Sequence, residues 1–193
     1  FVTRGDAAGG DERVSEHAVA YVGTRVEHGW FAYDLDGWRA QYPPEVFISQ
    51  LDKVSTGFEK VLDGLKQAVE EAEPQLEPGE RGALAKELDV VEAAAIHFRS
   101  AASQARFVWT RDSLARAKSS AEAQPLLATL ERTLREELDS ARRLYAIQMR
   151  DSRIGFEASN HYYYVPPDLV EKILNCRDLL GRWLPAQRTR WNG

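Results

Sequence analysis

Cysteine is nearly missing from this sequence. Cys176 is the only one in 193 residues, so no internal disulfide can form, and a cysteine-built zinc or iron–sulfur site is excluded. A catalytic thiolate needs a base beside it, and none lies near Cys176 in the sequence. The residue therefore reads as a small apolar side chain on a helix face. No apolar run approaches the roughly 18 residues that would suggest a membrane span. Basic excess is missing too. Twenty-five Lys plus Arg stand against thirty Asp plus Glu, a net charge of −5, which does not favour a nucleic-acid partner. There is no Walker loop, dinucleotide fingerprint, His-Glu-x-x-His or nucleophile elbow, so no cofactor is expected. The lack of disulfides fits the cytoplasm, the expected location, without excluding secretion. The chain opens on Phe1 without an initiator Met or a secretory leader pattern, as a processed product or a piece of a longer chain would.

What is present is a chain that folds. Hydrophobic residues are 44% and charged residues 28%, a balance that argues against disorder. Residues 1–29 read as a flexible or irregular segment carrying Gly5, Gly9 and Gly10, with His17 and His28 in no motif. An aromatic loop follows: Trp30, Phe31, Tyr33, Trp38 and Tyr42, punctuated by Gly29 and Gly37. Then come three long helical patterns. The first opens at Pro43-Pro44-Glu45, carries Phe47, Leu51, Val54, Phe58, Val61 and Leu65 at spacings of 4 and 3, and ends at Pro74. The second begins near Pro78 and repeats the alternation through Leu84, Leu88, Val91, Ala95, Phe98, Ala102 and Ala105, with His97 at a polar or boundary position. The third starts at a capping box of Ser119 and Glu122 and carries Ala123, Leu127, Leu130, Leu134, Leu138, Ala141, Tyr145 and Gln148. A shorter helix opens at Pro166-Pro167-Asp168 and stops near Leu180, before Gly181. Each long helix should have about 30 residues, hence about 45 Å of length. Short connections make antiparallel neighbours. The expected fold is all-α: an antiparallel bundle of three long helices plus a shorter C-terminal helix over residues 30–184, aromatic loops at the bundle end, and a tail over 185–193.

Two segments could carry chemistry. Asp34-Leu35-Asp36-Gly37-Trp38-Arg39 sets two carboxylates beside a large aromatic face. Paired carboxylates can hydrolyse a glycosidic bond if they stand about 5 to 9.5 Å apart across it, which spacing in sequence does not show. The second segment, Arg150 to Tyr164, packs Arg150, Asp151, Arg153, Glu157, Asn160, His161 and Tyr162-Tyr163-Tyr164 into a connector longer than linking two helices requires. Carboxylates and amides hydrogen-bond hydroxyls, and aromatic faces cover a sugar ring. The alternative is structural: the tyrosines cover the bundle end, Arg150 and Arg153 pair with Asp151 and Glu157, and Asp34 and Asp36 cap turns. Glu157 and His161, four apart, could form an acid–base pair; two ligands do not make a metal site.

These segments resemble a family. Asp34-Leu35-Asp36-Gly37-Trp38-Arg39 with Tyr42-Pro43-Pro44-Glu45-Val46-Phe47, then Arg150-Asp151-Ser152-Arg153-Ile154-Gly155-Phe156-Glu157-Ala158-Ser159-Asn160-His161-Tyr162-Tyr163-Tyr164 and Leu169-Val170-Glu171-Lys172-Ile173-Leu174-Asn175-Cys176, are similar to parts of large bacterial glycoside-hydrolase-like proteins of the α-glucuronidase-like and hexosaminidase-like kinds. In these, a sugar-processing barrel precedes a helical C-terminal region. The resemblance spans about residues 33 to 181. It implies that this chain is the helical accessory region without the catalytic barrel, which alone would take roughly 250 residues. The chain alone would then not be catalytic. Asp34, Asp36, Trp38, Arg39, Arg153, Glu157, Asn160, His161 and Tyr162 are the candidate ligand-binding residues, lining one wall of a site or the interface with the barrel. The implied partners are a saccharide, a catalytic domain, or further copies of the chain brought together by an apolar patch. The competing expectation is a stand-alone helical interaction or dimerisation module, motivated by the near-heptad spacing.

Overall fold

The computed structural model describes residues 35–39, 41–157, 162–163 and 165–192; of 37, 38, 156, 157, 162 and 163 it describes the backbone alone. The N-terminal segment 1–29, with His17 and His28, and the aromatics Trp30, Phe31 and Tyr33 lie outside the described residues. The fold is all-α. A short helix, α1, covers Leu35–Arg39. Helix α2 runs Pro44–Ala72, α3 runs Pro78–Arg116 and α4 runs Ser120–Arg150. Two residues each, β1 (Phe156–Glu157) and β2 (Tyr162–Tyr163), pair antiparallel. Helix α5 follows at Pro166–Asp178 and α6 at Leu184–Asn192.

The termini follow local chemistry. Proline stands in the first turn of α2, α3 and α5, where its missing N–H costs nothing. The Glu80 carboxylate accepts the Glu77 N–H at 2.9 Å. Ser119 caps α4 as expected, its hydroxyl accepting the Glu122 N–H at 3.2 Å. The return bond is displaced by one residue, the Glu122 carboxylate taking the Lys118 N–H at 2.9 Å. Gly155 has φ of 91°, a left-handed turn that glycine adopts freely, and it leads the chain into the β pair.

Ion pairs set the helix register. Asp52, Glu59 and Lys66 stand seven apart on α2 and meet Arg106, Arg99 and Glu92 of α3. As one number rises the other falls, so the two helices pair in opposite senses. Arg143 and Arg150 of α4 reach back to Glu92 and Asp89 of α3 at 2.7 and 2.5 Å, again in opposite sense. Arg150 was expected to pair within its own connector. It instead crosses to α3, because its position on the last turn of α4 faces that helix.

Most of the apolar stripe of α4 is buried: Ala123, Leu127, Leu130, Leu134 and Leu138 line the core with Phe107, Leu114, Leu179, Trp183 and Leu184, and Ala141 joins Ala93 and Ile96 in a second cluster. On α2 the fully buried column is Ile48, Ser55 and Leu62; of the expected face, Phe47, Leu51, Phe58 and Leu65 are half-buried, whereas Val54 and Val61 are 47% and 63% exposed. The rows at 54/61 and 55/62 have equal spacing. The charged ladder at 52, 59 and 66 turns the helix so that the second row faces α3.

Helix α3 has 39 residues rather than about 30; burial of Phe107, Val108 and Leu114 carries it past the last expected apolar position, Ala105. The C-terminal helix also differs from expectation. It does not stop before Gly181. A π turn over Leu179–Trp183 joins α5 to α6, and residues 185–192 are helix rather than tail. The extra residue in the turn brings Leu179, Trp183 and Leu184 together into the core. Burying these side chains at about 2 kcal/mol each outweighs the roughly 1 kcal/mol cost of a helical glycine.

Candidate functional site

The most chemically dense place among the described residues is inside the helices. Ser100 of α3, Glu137 of α4 and Lys172 of α5 meet where three helices join. The Ser100 hydroxyl donates to Glu137 Oε1 at 2.5 Å. Lys172 Nζ donates to Ser100 Oγ at 2.9 Å and forms an ion pair with Glu137. Gln104 Nε2 also donates to Ser100 Oγ, at 3.0 Å. Glu137 is 6% exposed and Ser100 4%. His97 and Cys176 lie within electrostatic reach. Burial, then the Lys172 cation, lowers the His97 pKa. Burial, then the Glu137 carboxylate, pushes the Cys176 thiol up to about 12.

A serine beside a lysine suggests a nucleophile and its base. The bonding here does not serve that chemistry. A base must be neutral to take the serine proton, and the Glu137 carboxylate favours the charged amine. The serine's own proton already points at Glu137, and both its lone pairs are engaged. A buried charged cluster bonded in this way is a lock: removing one partner strands the other in low dielectric. The cluster escaped the sequence reading, although its signal was there. Leu130, Leu134, Glu137, Ala141 and Leu144 are spaced 4,3,4,3, and Leu169, Lys172 and Cys176 are spaced 3,4. Charges on an otherwise apolar stripe are buried only when paired.

The residues expected to bind ligand fall into two groups. Asp34, Asn160 and His161 lie outside the described residues, as do the side chains of Trp38, Glu157 and Tyr162. Asp36 and Arg39 are brought together, Arg39 Nε donating to Asp36 Oδ1 at 2.8 Å while Nη1 donates to the Tyr42 carbonyl at 2.7 Å. Arg153 grips Asp151, Nε to Oδ1 at 2.8 Å, and with the Arg153 backbone N–H holds that carboxyl down at about 2. The ladder sets Glu157 opposite Tyr162. The structure does not bring the described parts of the two segments together. Leu35 packs with Ala105 and Val108, whereas Ile154 packs on the cluster of Ala93 and Ile96. These levels are about 12 positions apart on α3, about 18 Å along its axis.

Among the described residues no group of three or more His, Cys, Asp or Glu could hold a metal ion, and no helix is long and apolar enough to cross a membrane. No family model, curated protein or solved structure matches the chain. The glycoside-hydrolase resemblance therefore rests on its quoted residues.

Proposed function

We propose that the chain is a helical docking module: an antiparallel bundle serving as the accessory C-terminal region of a glycoside-hydrolase-like, carbohydrate-related protein, with no catalysis of its own. The outward face of α2 carries this reading. Val54 and Val61 stand exposed there, beside Phe98 of α3, which is 38% exposed with its ring 4.7 Å from that of Phe58. Gly57 and Gly64 share the face, and a Cβ on either would meet nothing within 4 Å. A flat apolar strip of this kind suits the close approach of another domain. The mass of the native product in its source cells tests the reading. A product much larger than 21.8 kDa supports an accessory region. A product of that mass overturns it and leaves a stand-alone interaction module. Sedimentation of the chain then separates self-association from a foreign partner, with Val61→Asp as the variant that should abolish either contact.

A second reading has its own observation. The β pair puts Glu157 opposite Tyr162, two of the ligand-binding candidates, on a segment tied to the bundle through Arg150–Asp89 and Ile154. This favours a saccharide contact on that hairpin. Titration with oligosaccharides bearing glucuronic acid or N-acetylhexosamine tests it: heat of binding lost in Tyr162→Ala and Glu157→Gln supports it, and silence with both sugar classes sinks it.

A further inference from the structure

Beside the polar lock lie three buried oxygens that the helices do not satisfy. Glu137 Oε2, Thr133 Oγ1 and Ser103 Oγ each lack a hydrogen-bond partner, and their residues are 6%, 2% and 1% exposed. Their placement follows from the helix pairing. Ser100 of α3 bonds Glu137 of α4, and the two helices run in opposite senses. One turn onward on α3 is therefore level with one turn back on α4. Ser103, three past Ser100, comes level with Thr133, four before Glu137, and residues at these spacings share a helix face. Ser103 and Thr133 thus share one level of the α3–α4 interface, and Glu137 stands one turn away on the same face of α4.

We propose that Ser103, Thr133 and Glu137 form a binding site for an internal water molecule. Buried polar groups in folded proteins are almost always paired, and a buried water makes about three hydrogen bonds to groups of this kind. The water donates to Glu137 Oε2 and accepts from the Ser103 and Thr133 hydroxyls, so each of the three groups gains a partner through three hydrogen bonds. A metal cation is the poorer occupant. Lys172 already neutralises Glu137, so a second cation would add uncompensated charge in a low-dielectric setting. The water completes the polar lock, carrying it from α5 through Glu137 into the α3–α4 seam.

Two measurements on the full chain decide the matter. In a crystal structure at a resolution that shows ordered solvent, one peak should lie at hydrogen-bonding distance, about 2.7–3.2 Å, from Glu137 Oε2 and at least one of the two hydroxyls. In solution, the Thr133 methyl should show a cross-peak to long-lived water, and Ser103→Ala should weaken it while the fold persists. A dry site overturns the proposal, whether the hydroxyls have turned to backbone carbonyls or to each other. So does an anomalous peak from a bound ion. Loss of the cross-peak in the wild-type chain under conditions where the Thr133 methyl is resolved would overturn it as well.

Discussion

Replacing Lys172 by Met tests the reading of the buried cluster as a lock. The substitution keeps most of the side chain's volume but removes the cation paired with Glu137. The carboxylate is left buried, with the Ser100 hydroxyl as a donor. Breaking a buried pair from one side costs about 3–5 kcal/mol, a large part of a total stability of order 10 kcal/mol. With a urea m-value of about 2.5 kcal/mol per M, the midpoint should fall by about 1.6 M. The double variant Lys172→Met with Glu137→Leu removes both charges and leaves Ser100 bonded to Gln104. It should return to within about 1 kcal/mol of the wild type, since apolar replacements of whole buried pairs are near neutral. Urea melts followed by circular dichroism, with the four chains compared at one pH, give the double-mutant cycle. A loss below about 1 kcal/mol for Lys172→Met, or a double variant as unstable as the two single losses added, would refute the lock.

Three further outcomes follow from the same packing. The depressed His97 pKa means that the unfolded chain takes up its proton first as pH falls below about 6.5, so stability held above that value is lost on acidification; His97→Gln should show a smaller drop in urea midpoint between pH 7.5 and 5.5 than the wild type, and equal drops would contradict the cause. With its thiol pushed up to about 12 and its side chain buried, Cys176 should resist an aromatic disulfide reagent at pH 8 in the folded protein and react with one equivalent in urea; rapid reaction while folded would count against its burial. Gly181 is helical and a Cβ there would meet nothing within 4 Å, so Gly181→Ala should stabilise by about 0.5–1 kcal/mol and raise the melting temperature by about 2 °C; a lower melting temperature would show that the π turn requires glycine.

The sequence by itself determined the helical class, the first-turn prolines, the Ser119 cap and most of the buried stripe of α4. These are local properties, decided by spacing within a few turns and by backbone chemistry at each end. Which of two equally spaced rows on α2 is buried was a tertiary decision. It depended on Asp52, Glu59 and Lys66 meeting Arg106, Arg99 and Glu92, although the matching seven-residue spacing was already written in both helices. The end of the last helix was decided the same way. Gly181 is a stop signal taken alone, and the core around Trp183 and Leu184 overrides it. The Ser100–Glu137–Lys172 cluster draws one residue from each of three helices. Each charge could be read as misplaced on an apolar stripe, but only the packing of α3, α4 and α5 makes them partners, because pairing in the interior depends on distance in space rather than along the chain.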